Sequence, residues 1–196
     1  MPAPSPSPWA RSDRMRRVFI AAAVWASLAA SAAAQDTDQA GPIPITGNAP
    51  TFCTVGALQG ADNVFDLGIL VDTTTGLLLQ SLSAPPKTLT GAFCNTGSTI
   101  SISATPIEAQ TLTGAPPSGH SDEVDFTATA SGWTDVPAVF STANGANPQA
   151  TQTRATPFAG DIVVSIGSFE TAGGSSLRML ADPVYRGSIT LTLTTN

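Results

Sequence analysis

The sequence predicts an all-β protein built as an antiparallel β-sandwich, and three observations carry that expectation. Hydrophobic residues recur at every second position in several short segments, a period that belongs to strands and not to helices. Seventeen glycines and sixteen prolines in 196 residues punctuate the chain too often for long helices. Turn-rich stretches separate the alternating segments at sandwich-like spacing.

Residues 1–34 read as a leader and a cleaved signal peptide. Arg16 and Arg17 form a positive n-region, Val18 to Ala30 an apolar run, and Ala32 and Ala34 a small-x-small cleavage site before Gln35. The run is short for a membrane anchor and no stop-transfer flank follows it. Residues 1–14 are Pro/Ser-rich without apolar pattern, which makes Met15 a candidate initiator. Cleavage leaves residues 35–196, in which four bases against thirteen acids give a net charge of −9, where the full sequence carries −6. Such acidity provides no footprint for nucleic acid and opposes docking on anionic lipid through a basic patch. The expected location is the periplasm, then the cell surface or the extracellular medium, with no membrane span once the signal is gone.

The exported part holds both cysteines, Cys53 and Cys94. An even count in an oxidising compartment reads as one disulfide. Closing a loop of this length is worth roughly 4 kcal/mol in the chain-entropy account.

Residues 35–50 are polar and Pro/Gly-rich and read as a flexible lead-in to an ordered domain over 51–196. Phe52 to Val55 begins the ordered part. In Val64–Leu70, Phe65, Leu67 and Ile69 share one face at period two. Thr88–Cys94 follows, then the turn Asn95-Thr96-Gly97. Ser98–Ile107 alternates through Ile100, Ile102 and Ala104 until Pro106 interrupts it. Val124, Phe126 and Ala128 alternate up to Gly132-Trp133, and Trp133 is expected in the core or on the sandwich rim. Asp161–Phe169 is apolar on both faces, as in a more buried strand. Tyr185–Thr194 is the clearest segment, with Tyr185, Ile189, Leu191 and Leu193 on one face and Ser188 and the threonines on the other. Residues 84–87, 114–119, 142–157 and 171–176 read as turns.

These residues together resemble a known family. A strand carrying a cysteine (Phe52-Cys53-Thr54-Val55) precedes Phe65-Asp66-Leu67-Gly68. A second cysteine (Phe93-Cys94-Asn95) leads into Ser98-Thr99-Ile100-Ser101-Ile102, and the chain closes on Pro183-Val184-Tyr185-Arg186-Gly187-Ser188-Ile189-Thr190-Leu191-Thr192-Leu193. The whole resembles the spore coat protein U domain of the chaperone–usher pilin superfamily, over roughly residues 50 to 196. The resemblance implies an immunoglobulin-like sandwich lacking its last strand. It implies partners too: a periplasmic chaperone and an outer-membrane usher, then neighbouring pilin-like subunits that donate the missing strand. Tyr185, Ile189, Leu191 and Leu193 would then border the groove the donor fills, and the Cys53–Cys94 disulfide would tie the first strand to the second. The expected function is a structural or adhesive subunit of a pilus or coat-like surface appendage. One departure stands out. The lead-in offers only Ile43 and Ile45 as donor residues, flanked by Pro42 and Pro44, and proline cannot donate ladder hydrogen bonds. A tip or adhesin-like subunit therefore competes with a shaft subunit, and a self-contained β-sandwich that binds a ligand is the alternative.

Motifs for chemistry are few. The sequence contains no Gly-x-Ser-x-Gly elbow, Walker loop or His-Glu-x-x-His, and the cysteine pair lacks zinc-ligand spacing. The single histidine, His120, stands near Asp122, Glu123 and Asp125, a grouping that reads as a polar loop entering a strand. No catalytic residue, metal or cofactor is expected, and the chain is not expected to be an enzyme.

Overall fold

Two cysteines facing each other across a strand pair begin the ordered part of the chain. Cys53 and Cys94 are register partners, with Cα atoms 4.2 Å apart, and form the disulfide; no free cysteine remains. The computed structural model describes residues 41–60 and 63–196. The leader, its cleavage site and the first part of the lead-in lie outside the described residues. The chain divides into residues 1–46 and residues 47–196. In the first unit, residues 41–46 carry no secondary structure, and Ile43 and Ile45 are 84% and 98% exposed.

The second unit is all-β, with no helix among the described residues. Its strands are β1 (Cys53–Thr54), β2 (Ala57–Leu58), β3 (Lys87–Cys94), β4 (Ser98–Ala109), β5 (His120–Ser121) and β6 (Glu123–Ser131). There follow β7 (Ala138–Ser141), β8 (Thr151–Arg154), β9 (Phe158–Thr171), β10 (Arg178–Met179) and β11 (Tyr185–Thr195). The main sheet is antiparallel and runs β1-β3-β9-β6-β4-β11, with β2 on β3, β7 on β6 and β8 on β4. A small parallel pair, β5 with β10, stands apart. β11 returns beside β1, so the large sheet nearly closes into a barrel.

Alternation explains which residues fill the interior. Val124, Phe126, Ala128 and Ala130 of β6, Ile100 and Ile102 of β4, and Ile162 and Val164 of β9 are all buried, each set at period two. β4 and β6 share only Ile107↔Val124 and Glu108↔Glu123. Beyond that seam they part, and β8 pairs with β4 while β7 pairs with β6. Trp133 lies in the core with no exposed surface. Its indole Nε1 donates to the buried Ser98 hydroxyl at 3.1 Å, satisfying two polar groups that would otherwise be costly to bury.

Inward alternation changes phase by one residue at three places. Val64–Leu70 forms no strand. Phe65 and Leu67 pack against the core, but Gly68 adopts a left-handed φ of +64°, its N–H donating to Asp66 Oδ1 at 2.9 Å. After that turn Leu70 is inward and Ile69 is 68% exposed. Pro106 does not end its strand. Thr105 pairs with Ser188 and Glu108 with Arg186, so Pro106 and Ile107 together oppose Gly187. This β-bulge absorbs a residue that cannot donate to the ladder, and it switches the inward positions from Ile100, Ile102 and Ala104 to Ile107. In β9 a further bulge at Ser168, whose φ is +50°, passes the inward phase from Ile166 to Phe169. The stretch 142–157, read as turns, also contains β8.

Candidate functional site

β11 is where alternation and topology meet. Tyr185, Ile189, Leu191 and Leu193 all pack toward the core cluster, and the intervening threonines are exposed. One side of β11 pairs with β4 along nearly its whole length. No described strand pairs the other side. A strand edge left this way presents unpaired N–H and C=O groups, a template for another chain.

Beside that edge lies a groove of about 970 Å³. It is lined by residues 63–71, by residues 180–189 together with Leu191, and by core side chains including Leu89, Ile107, Phe126, Val164 and Ile166. Tyr185, Ile189 and Leu191 line it, whereas Leu193 packs against the core beyond the lining. Val64 and Ile69, 58% and 68% exposed, add apolar surface to it. The segment 63–70 contributes Phe65, Leu67 and Leu70 to the packing without joining a strand. Lys87 stands over the Phe65 ring at 5.8 Å, a cation–π contact.

The turn entering β11 is fixed by polar bonds. Asp182 Oδ2 accepts from Thr111 N at 2.8 Å and from Thr111 Oγ1 at 2.6 Å, and Oδ1 accepts from Val184 N at 2.8 Å. The Thr111 hydroxyl is the main reason its carboxyl is held below the usual range. The Tyr185 hydroxyl donates to Leu180 O at 2.8 Å. Burial, then the charges of Asp182 and Asp122, push its ionisation up.

The residues around the single histidine are dispersed into structural bonds. His120 Nδ1 lies 3.3 Å from Ser118 O, and Asp125 Oδ1 accepts from Thr142 Oγ1 at 2.6 Å. Among the described residues no three metal-ligating side chains converge.

The groove is therefore an apolar trough beside a free backbone edge, suited to pairing with an extended chain whose alternate side chains are apolar. Three of the four residues expected beside a groove line this one. Its core-strand lining could not be read from sequence, because Leu89, Phe126 and Ile166 come from three strands distant along the chain. The Asp66-x-Gly68 pair is the one local signal for the break at Gly68.

Comparison with protein-family models, with curated proteins and with solved structures finds no match for this chain.

Proposed function

We propose that the chain is an exported structural or adhesive subunit of a bacterial surface appendage, assembled by donor-strand exchange. The observation that carries this reading is the final strand, β11. It is inward-alternating and paired only with β4, and it runs beside an apolar groove of about 970 Å³.

Strand order adds support. Written in chain order as A (β1), B (β3), C (β4), D (β6), E (β9) and F (β11), the sheet path is A-B-E-D followed by C-F. An immunoglobulin-like sandwich pairs A-B-E-D in one sheet and C-F-G in the other, and on this reading the position without a strand is that of G. Tyr185 adds a second sign. A tyrosine at the start of strand F bonding back to a backbone carbonyl just upstream is a hallmark of that fold, and Tyr185 bonds to Leu180. Both agree with the resemblance to the spore coat protein U domain. On this reading a periplasmic chaperone fills the groove first, and an outer-membrane usher then exchanges it for a neighbouring subunit's strand.

Residues 41–50 form no strand, and this bears on the place such a subunit would take in a fibre. Pro42 and Pro44 flank Ile43 and leave few donors for a ladder. This favours a capping or adhesive subunit over one that extends a shaft.

The test is a thermal unfolding series on the full chain with and without a synthetic extended peptide of alternating apolar residues. The expected result is a marked rise in midpoint with slowed amide exchange along β11. A cooperatively folded monomer whose midpoint and β11 exchange ignore every such peptide would refute strand exchange and leave a self-contained ligand-binding domain.

A further inference from the structure

Arg154 is held by neutral groups in a chain with more acids than bases. It lies on β8 opposite Ser98 of β4. Its guanidinium carbon sits 3.8 Å from the centre of the Phe158 ring, and Nη1 donates to Trp133 O at 2.8 Å. Phe158 is packed against the buried Trp133 ring edge-on at 5.2 Å, and Trp133 is itself anchored on Ser98. The guanidinium plane is thus set by a packed aromatic pair, not by a flexible surface contact. Nε is buried and has no hydrogen-bond partner. Among the described residues Arg154 forms no ion pair.

A half-buried cation with a fixed plane and no carboxylate partner calls for a physical explanation. Arg154 borders a cleft of about 390 Å³, which it lines with Thr134, Asp135, Gln152, Thr153 and Thr156. We infer that this cleft binds a sugar acid, with Arg154 receiving the carboxylate.

The chemistry selects that class in two steps. A planar guanidinium pairs with a planar carboxylate through parallel N–H bonds, and pre-orientation removes most of the entropic cost. Burial of Nε closes the side-on approach, so the carboxylate meets the terminal nitrogens end-on. Asp135 lines the same cleft, and a phosphate dianion would set two charges beside it where a carboxylate sets one. The remaining groups, Asp135, Gln152 and the threonine hydroxyls, accept and donate as a polyol requires. The volume suits a single sugar ring and falls near the lower end of ligand pockets. This site is separate from the groove and does not depend on strand exchange.

The test is a titration of the full chain with glucuronate, and separately with glucose and acetate. The side-chain N–H resonances of Arg154 and Trp133 are followed by NMR. A saturable shift with glucuronate, none with glucose and at least roughly tenfold weaker binding of acetate is expected. Arg154→Lys keeps the charge but loses the fork, and should weaken glucuronate at least about tenfold. No response to glucuronate, or an equal response to glucose, overturns the site. Acetate binding as tightly as glucuronate overturns the sugar class. The glucose comparison needs no substitution, so it decides the matter even if Arg154→Lys unfolds.

Discussion

The Tyr185 hydroxyl reaches back five residues to the Leu180 carbonyl, at 2.8 Å, and so ties the start of β11 to the turn before it. Asp182, inside that turn, is bonded by Thr111 from another loop. The strand that borders the groove is therefore oriented by bonds within the chain itself. Tyr185→Phe keeps the ring and removes the bond. It should cost about 0.5–1.5 kcal/mol, read as a lower urea midpoint with an unchanged slope.

The same residue gives a test in alkali. Burial first, then Asp182 and Asp122, raise the Tyr185 pKa above 10.0. The unfolded chain ionises before the folded one, so this contribution is complete below pH 10 and is lost as pH rises through the folded value. Tyr185 is the single tyrosine of the chain, so the tyrosinate absorbance belongs to it alone. Its titration should lie above that of the denatured protein, and Tyr185→Phe should flatten the loss of stability above pH 10.

Strand alternation made the all-β class and most of the inward-facing residues legible in the sequence. Ile100 and Ile102, then Val124, Phe126 and Ala128, and Ile189 with Leu191 all face inward as their spacing requires. What escaped were single-residue changes of phase at Gly68, Pro106 and Ser168. A bulge depends on a local φ and on what the neighbouring strand can accommodate, and neither is written in a hydrophobic pattern. The groove followed the same division. Tyr185, Ile189 and Leu191 were visible in one stretch, whereas the apolar groove lining is assembled from β3, β4, β6 and β9. Arg154 was missed because its strand is polar and lies between turn residues.

The seam between β4 and β6 sets two like charges opposite each other, Glu108 and Glu123. Burial chiefly, then Asp125, Glu108 and Asp122, raise the Glu123 pKa above 4.5, and Arg186 stands opposite Glu108 on the other side. A carboxyl with a raised folded pKa favours the fold while protonated. That contribution is full below pH 4.5 and disappears as pH rises through the folded value. Glu123→Gln should therefore stabilise the protein at neutral pH, by about 0.2–1 kcal/mol for relief of an opposed pair. The gain should vanish in acid, and urea midpoints measured across pH would reveal it.

The disulfide joins residues 41 apart in sequence, with Cys94 fully buried and Cys53 half-buried. Reduction should lower stability by roughly 4 kcal/mol through the freedom returned to the unfolded chain. Denaturant titrations with and without reductant measure this directly. Fluorescence of a thiol reagent added to the untreated native protein should stay at background.

Gly187 tests whether the bulge at Pro106 is a required part of the β4–β11 pair. A Cβ at position 187 would stand 2.9 Å from the carbonyl oxygens of both Pro106 and Thr105, and 3.1 Å from Ile107 Cγ1. Two of these three atoms are backbone held in a ladder, so the strands themselves must move. Gly187→Ala should cost about 1–3 kcal/mol, the range for overpacking a closely fitted site. Gly167, beside the other bulge in β9, meets nothing within 4 Å. Gly167→Ala should leave stability unchanged or raise it by up to about 1 kcal/mol, because it restricts only the unfolded chain. Denaturant midpoints for the two variants, measured side by side, separate close backbone approach from the general effect of losing a glycine. Equal midpoints would mean that β11 does not meet Pro106 as described.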